Sequence, residues 1–245
     1  MNPKRKMELT FEDFKELATN PNLSESQKIG FPDSYRKGLS QLILSDIYTK
    51  LPIDSTQNKI IIDIGSGCGE LTIELIETCY KNNHKLVLID SEEMLSNLPD
   101  SPGVIKICGK FPFKNDELVN YLGKADYVLC YSVLFYIFAY DNLYHFLHEA
   151  LNLLKPNGRL LIGDIPNIDK RERFLKSEEG KKFLQNNDTI SGSTAHDNLD
   201  QKMDDSIVMA IIARMRRFGS EAYLMPQSDN LPMANRREDI LVIKR

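Results

Sequence analysis

The sequence predicts an α/β fold built on a doubly wound, mostly parallel sheet of seven strands. Short apolar runs alternate with amphipathic helical patterns along most of the chain, and three of these runs end in an acidic residue. The last two runs, 222–225 and 239–243, follow each other without a helical pattern between them, which predicts a final antiparallel hairpin. A polar stretch at 168–202 interrupts the alternation, and we interpret it as a helical cap insertion over the carboxyl edge of the sheet.

Length and composition favour one α/β domain at 53–245, preceded by N-terminal helices at 1–52. The chain has 245 residues, of which 42% are apolar, enough for a full core. No apolar run approaches the ~20 residues of a membrane span, and polar residues follow the basic start, so we expect a cytoplasmic protein. A net charge of −4 argues against a large nucleic-acid interface. The four cysteines lack metal-ligand spacing, so we expect free thiols and no metal site.

Helical patterns flank the predicted strands. The pattern at 11–17 predicts a short N-terminal helix, and the pattern at 39–47 predicts an amphipathic helix that ends near a proline. We interpret residues 21–33, between them, as loop. Further helical patterns lie at 141–154, 173–187 and 203–218.

The most informative stretch is 59–70, where a strand, a tight turn and the start of a helix follow one another. Gly65, Gly67 and Gly69 let the backbone take positive φ and leave room for a ligand at the helix N-terminus. A dinucleotide fingerprint would place its third glycine at position 70, which is Glu70 here, so the spacing argues against NAD. A glycine-rich turn without a ligand stays open as the alternative.

This stretch resembles the first motif of the class I S-adenosylmethionine-dependent methyltransferases, acid-x-Gly-x-Gly-x-Gly, and the resemblance covers residues 34–245. It implies a Rossmann-like domain that binds S-adenosyl-L-methionine through Asp63 and the turn, including Ser66. In many members an N-terminal segment lies over the cofactor as a lid. Such a lid would bring Tyr35, Arg36 or Lys37 to the methionine carboxylate, and we also assign Tyr35 to the substrate. Solvation at a helix start is the alternative.

The second strand, 86–90, ends in Asp90, where a carboxylate can accept hydrogen bonds from both hydroxyls of a ribose. Ser91 can cap the next helix, and Met94 offers apolar surface to adenine. The pattern acid-Ser-x-x-Met-Leu resembles the second motif of the family. A surface aspartate beside a capped helix is the alternative.

The third strand, 104–108, is followed by Gly109, Lys110 and Phe111, which we assign to the cofactor site. The family often has an aspartate directly after that glycine, where it binds the adenine amino group. Lys110 stands there instead. Recognition of adenine at this edge is therefore expected from backbone groups.

The fourth strand runs into a loop over 126–137 that contains Tyr131, Ser132 and Tyr136. Relatives that methylate amino groups of bases or of glutamine commonly carry Pro-Pro in this loop, and this chain has no proline there. The loop is closer to that of relatives that act on small molecules. The resemblance implies that Tyr131 and Ser132 lie at the cofactor and that Tyr136 is a candidate base.

The carboxyl end of the fifth strand supplies further candidates. Asp164 ends that strand and Asn167 follows it, near the expected substrate. Within the cap, His196 could orient or deprotonate a nucleophile, with a solvated loop residue as the alternative.

The loop at 226–238 carries Asn235, Arg236 and Arg237 toward the same edge, and we assign all three to the substrate. Paired arginines bind phosphate or carboxylate through planar sets of donors. An ion pair with a nearby acid is the alternative.

The family resemblance implies methyl transfer to a small-molecule acceptor, at an oxygen of a phosphorylated, phosphoramidate or sugar metabolite. The segment 236–240 most resembles methyltransferases of bacterial surface-polysaccharide gene sets, including the O-methyl phosphoramidate type. A sugar hydroxyl would need a base, for which His196, Asp164 and Tyr136 are the candidates, whereas an anionic oxygen would need only positioning by the arginines. A cofactor-binding pseudoenzyme and an NAD-dependent oxidoreductase stay open. We expect no nucleic-acid or membrane partner, and a homodimer is left open.

Overall fold

The computed structural model describes residues 9–186 and 203–245 and confirms the predicted sheet. The strands are β1 (Ile60–Ile64), β2 (Lys85–Asp90), β3 (Val104–Cys108), β4 (Ala125–Tyr131), β5 (Leu154–Pro166), β6 (Ser220–Met225) and β7 (Arg237–Lys244). Their order is β3-β2-β1-β4-β5-β7-β6, with β1 to β5 parallel and β7 antiparallel to both of its neighbours. The strand order reverses between β1 and β4, which places a ligand crevice outside their carboxyl ends.

Helices cover both faces of this sheet. They are α1 (Phe11–Thr19), α2 (Glu25–Lys28), α3 (Asp33–Arg36), α4 (Ser40–Lys50), α5 (Glu70–Lys81), α6 (Glu92–Leu95), α7 (Asp116–Val119), α8 (Leu134–Tyr140), α9 (Leu143–Leu153), α10 (Ile168–Lys176), α11 (Glu178–Asn186) and α12 (Asp205–Arg217). Within the described residues no helix is long and apolar enough to cross a membrane.

Two stretches differ from the predicted elements for local reasons. Residues 21–33, predicted as loop, contain α2 and the start of α3, because Ser24 and Gln27 form a reciprocal capping box that starts a short helix. The cap begins with two helices, α10 and α11, where one was predicted. Ser177 lies between them in an extended conformation, and its hydroxyl accepts a hydrogen bond from Gly180 N at 3.1 Å.

The core consists of two apolar layers separated by the sheet. Side chains alternate between the two faces along each strand, so Ile61 packs on the α4 and α5 side while Ile62 packs on the α9 and α12 side. Both isoleucines are fully buried. This double burial explains why the central strands are apolar at nearly every position.

A bulge near the end of β5 redirects Asp164 toward the crevice. The pairing of β5 with β7 shifts register between Ile162 and Ile165, and Asp164 takes a left-handed conformation with φ of 58°. Its backbone N donates to Asp239 Oδ1 at 2.9 Å. Asp239 is fully buried and pairs at 2.7 Å with Lys50 Nζ, so α4 and β7 together hold the bulge.

Candidate cofactor crevice and acceptor edge

The glycine turn after β1 lies directly against the end of β2. Gly65 and Gly67 have φ of +70° and +63°, a conformation that favours glycine. Asp90 Oδ2 accepts a hydrogen bond from Gly67 N at 2.8 Å, and its Oδ1 accepts one from Ser91 N at 2.7 Å. Ser91 Oγ caps α6 through Met94 N. Asp90 is thereby fixed beside the turn, as the sequence predicts.

Two carboxylates lie close together at this edge. Burial raises the pKa of Asp63 to about 8, and the negative charge of Asp90 adds to the effect. Burial also raises the pKa of Asp90, but hydrogen bonds from Gly67 and Ser91 oppose that shift. Asp90 is therefore the better candidate for an ionised acceptor of ligand hydroxyls at neutral pH.

A cavity of about 280 Å³ opens along the carboxyl ends of β1, β2 and β4. Among the residues assigned to the cofactor, Gly65, Ser66, Gly67 and Gly69 line it from the turn. Asp90, Met94, Gly109, Lys110 and Phe111 line it from the ends of β2 and β3, and Tyr131 and Ser132 line it from β4. Asp63 and Ser91 are buried and do not line the cavity. The structure thus brings the predicted cofactor residues other than Asp63 and Ser91 together around one space.

The N-terminal cover, residues 9–38, closes one side of this cavity. A Cβ atom on Gly67 or on Gly69 would lie 2.9 Å from side-chain atoms of Ile29, so this isoleucine packs directly on the turn. Phe14 and Phe31 also line the cavity. Sequence reasoning missed Ile29 and Phe31, and the capping box before them was the available signal.

The far end of the cavity supplies a carboxylate that the sequence did not indicate. Lys110 Nζ lies 2.8 Å from Asp141 Oδ1, and both residues line the cavity beside the apolar side chains of Phe111, Ile137 and Phe146. Asp141 follows α8 and is distant from β3 in sequence. No local pattern connects the two residues.

The opposite end carries a cluster of ionic and polar side chains around Asp164. Its Oδ2 accepts hydrogen bonds from Arg36 Nη2 at 2.9 Å and from Ser132 Oγ at 2.7 Å. Arg237 Nε lies 3.8 Å from Oδ1, and Arg237 Nη1 donates to the backbone oxygen of Asp164 at 3.1 Å. The carboxylate is only 6% exposed. We call Arg36, Ser132, Asp164 and Arg237 the acceptor edge.

Tyr136 lies between the N-terminal cover and the acceptor edge. Its ring meets Phe14 edge-to-face at 5.0 Å between centroids, and burial raises the pKa of its hydroxyl to about 12. At neutral pH this hydroxyl keeps its proton, so it is a donor unless a partner removes the proton. The third base candidate, His196, lies outside the described residues.

The residues assigned to substrate occupy different environments. Asn167 is buried and donates to Glu238 Oε2 at 2.7 Å and to Asp205 Oδ1 at 2.8 Å, which ties its side chain into the fold. Tyr35 lines a second, small cavity of about 20 Å³ beside the acceptor edge.

Arg236 differs from Arg237 in its partners. Arg236 Nε donates to Asn235 Oδ1 at 3.0 Å, and within the described residues its guanidinium pairs with no acid. Burial lowers its pKa, as do the charges of Arg171 and Arg237. Arg236 is therefore a partly buried cation in a basic environment.

Among the described residues, no group of three or more histidine, cysteine, aspartate or glutamate side chains could hold a metal ion. All four cysteines are free, and Cys108 alone among them is exposed.

Residues 62–162 match the family model described as "Methyltransferase domain". This match runs from within β1 to within β5 and includes the glycine turn, Asp90 and the loop after β4. No curated protein sequence matches the chain.

Solved structures share the whole architecture at low identity. One is the plantazolicin methyltransferase BpumL in complex with a triazolic desmethylPZN analog and SAH. Its sequence is 16% identical and the TM-score is 0.58, and the match covers 96% of this chain and 100% of the BpumL chain. A chain of the Haloferax volcanii complex with the Trm112 methyltransferase activator is 14% identical with a TM-score of 0.57. This match covers 95% of the present chain and 98% of the Haloferax chain. The methyltransferase domain of bacterial CtHen1 is 11% identical with a TM-score of 0.55. This match covers 84% of the present chain and 97% of the CtHen1 domain. The likeness establishes a common fold.

Proposed function

We propose that this chain is a class I methyltransferase that binds S-adenosyl-L-methionine and transfers the methyl group to a small-molecule acceptor, which its fold and the match to a methyltransferase domain support. The observation that carries the proposal is the cavity lined by the glycine turn, by Asp90 and by Arg36 and Ser132 of the acceptor edge. SAH is present in the structure of BpumL, which shares this fold.

The chain's own residues supply alignment and a dry site. Asp90 would accept hydrogen bonds from the ribose hydroxyls, while Met94 and Phe111 would contact the base. The sulfonium of the cofactor supplies an electrophilic methyl group. The N-terminal cover and Tyr136 would exclude water from the acceptor edge, where alignment of the reacting atoms lowers the barrier.

Calorimetry with SAH and with NAD tests the cofactor assignment. We expect SAH to bind at micromolar levels and NAD not to bind, because position 70 is Glu70 and Asp90 lies beside the turn. Asp90→Ala should lose about 1.5–3 kcal/mol of SAH affinity, the scale of hydrogen bonds to a charged group. Binding of NAD without binding of SAH would instead favour an oxidoreductase.

We further propose that the acceptor atom is an oxygen of a phosphorylated, phosphoramidate or sugar metabolite. An excess of positive charge supports an anionic acceptor: Arg36 and Arg237 share the single carboxylate of Asp164, and Arg236, close enough for the charge of Arg237 to act on it, pairs with no acid among the described residues. Asp164 already accepts hydrogen bonds from Arg36 and Ser132. An anionic acceptor oxygen would not need Asp164 as a base. A role in surface-polysaccharide biosynthesis rests on the sequence resemblance of 236–240 alone.

Mass spectrometry of phosphorylated metabolites and nucleotide sugars incubated with labelled cofactor would identify the acceptor. If the acceptor is anionic, Arg236→Lys should raise its KM at least about tenfold, because an ammonium cannot reproduce the planar donors. Arg173→Lys is the matched control, since Arg173 is 56% exposed and pairs with Asp205. SAH binding without turnover of any acceptor would favour a pseudoenzyme.

A further inference from the structure

Two cations near the acceptor edge, Arg171 on α10 and Arg236 before β7, form no ion pair with any acid in the described part of the chain. We call them the arginine pair. Arg236 Nε donates to Asn235 Oδ1 at 3.0 Å, and its guanidinium lies 5.9 Å from the centre of the Phe183 ring. Both arginines are only partly exposed. A partly desolvated guanidinium with open donors favours an anionic ligand.

Backbone hydrogen bonds through Asn167 hold the arginine pair together. Asn167 N donates to the backbone oxygen of Arg236 at 3.0 Å, and Arg171 N donates to the backbone oxygen of Asn167 at 3.1 Å. Burial lowers the pKa of Arg236, and the positive charge of Arg171 lowers it further, so the two charges are close enough to repel each other. An anion bound by both would relieve this repulsion.

The acids closest to α10 and the start of β7 are engaged by other side chains. Asp205 pairs with Arg173, and Glu238 Oε2 accepts a hydrogen bond from Asn167 at 2.7 Å. The described residues therefore supply no counter-ion to the arginine pair. Two unpaired guanidinium groups match a phosphate monoester, which carries close to two negative charges at neutral pH and three acceptor oxygens.

The acceptor edge, by contrast, contains its own anion. Arg36 and Arg237 both face the carboxylate of Asp164, which is only 6% exposed. A second anion placed beside this buried carboxylate would be repelled by it. A neutral hydroxyl could instead donate a hydrogen bond to Asp164. The distribution of charge thus separates a place for an anionic group from a place for a neutral reacting oxygen.

We propose, on the basis of the proposed function, that the arginine pair binds a phosphate group of the acceptor while the methyl group goes to a hydroxyl oxygen of the same molecule at the acceptor edge. That oxygen replaces sulfur as the partner of the methyl carbon, the electron pair of the broken bond stays on sulfur, and the hydroxyl proton passes to Asp164. The phosphate is then a handle that aligns the hydroxyl. The substrate class is a phosphorylated molecule with a free hydroxyl.

NMR titration with inorganic phosphate at constant ionic strength, without SAH and with saturating SAH, tests the arginine pair. Arg171→Gln and Arg236→Gln should each weaken phosphate binding at least about tenfold, because each removes one of two cations that hold the dianion. Arg173→Gln is the matched control, since it removes the same charge from the same helix but from a residue that pairs with Asp205. It should change phosphate affinity by less than about threefold.

Asp164→Asn tests where the phosphate lies. Phosphate at the arginine pair should bind this variant within about threefold of wild type, whereas phosphate beside the carboxylate would gain at least about tenfold once the repulsion is removed. Such a gain overturns the proposal. So do the absence of phosphate binding in wild type, displacement of SAH by phosphate, and equal effects of Arg171→Gln and Arg173→Gln.

SAH binding separates this proposal from the proposed function. Neither arginine of the pair lines the cofactor cavity, so both variants should bind SAH as wild type does. If SAH does not bind wild type while phosphate binds as expected, the proposed function fails and the anion site stands. Should Arg236→Gln not fold, Arg171→Gln on α10 gives the same test, and unchanged phosphate affinity in that variant overturns the proposal.

Discussion

Replacement of Gly67 by alanine tests whether the N-terminal cover packs on the glycine turn. The new Cβ would lie 2.9 Å from Ile29 Cγ2, and the residue has φ of +63°. A left-handed conformation costs alanine roughly 1–2 kcal/mol, and crowding against Ile29 adds about 1–3 kcal/mol. We therefore expect Gly67→Ala to lower the free energy of unfolding by about 2–5 kcal/mol.

Gly123→Ala isolates the backbone contribution. Gly123 has φ of +69° with no atom within 4 Å of the added Cβ, so only the roughly 1–2 kcal/mol of strain applies. The effect of alanine on the unfolded chain is the same at both sites. Urea unfolding of both variants, and of Gly67→Ala combined with Ile29→Ala, measures the difference. Packing of the cover on the turn would be refuted by two results together. Gly67→Ala and Gly123→Ala would lower the free energy of unfolding equally, and the effects of Gly67→Ala and Ile29→Ala would add in the double variant.

Two further predictions concern buried charges. Burial raises the pKa of Asp63 from its ordinary 3.8 to about 8. Between these two pH values the folded protein keeps a proton on Asp63 that the unfolded chain has lost. The free energy of unfolding therefore falls as pH rises through this range. Asp63→Asn removes this pH-dependent loss. Urea titrations should therefore show that the free energy of unfolding of the variant, relative to that of wild type, rises by about 1.4 kcal/mol per pH unit between about pH 5 and 7. A difference between the two proteins that stays constant with pH would contradict the prediction. Lys50→Met should cost about 3–5 kcal/mol because it leaves Asp239 buried without its cation. Adding Asp239→Asn should recover part of that loss, and no recovery would show that packing of Lys50 dominates.

The sequence by itself determined the parts of the protein that depend on local pattern. Apolar runs alternating with helical periodicity predicted the strands, because a buried parallel strand must be apolar on both faces. The spacing of Gly65, Gly67 and Gly69 predicted the turn, because positive φ and close approach both favour glycine. Asp90 was predicted because it ends a strand next to that turn, and strand ends meet at one edge of a parallel sheet.

Only the tertiary structure decided which distant side chains meet. Arg36 is separated from Ser132 by 96 positions and from Asp164 by 128, and no periodicity relates them. Ile29 contacts Gly67 because the N-terminal cover folds back over the crevice, and Lys110 meets Asp141 because the end of α8 lies beside the end of β3. Asp164 points toward Arg36 because a bulge in β5 changes its orientation, which depends on pairing with β7. Contacts of this kind follow from strand order and register, which are properties of the whole chain rather than of any segment.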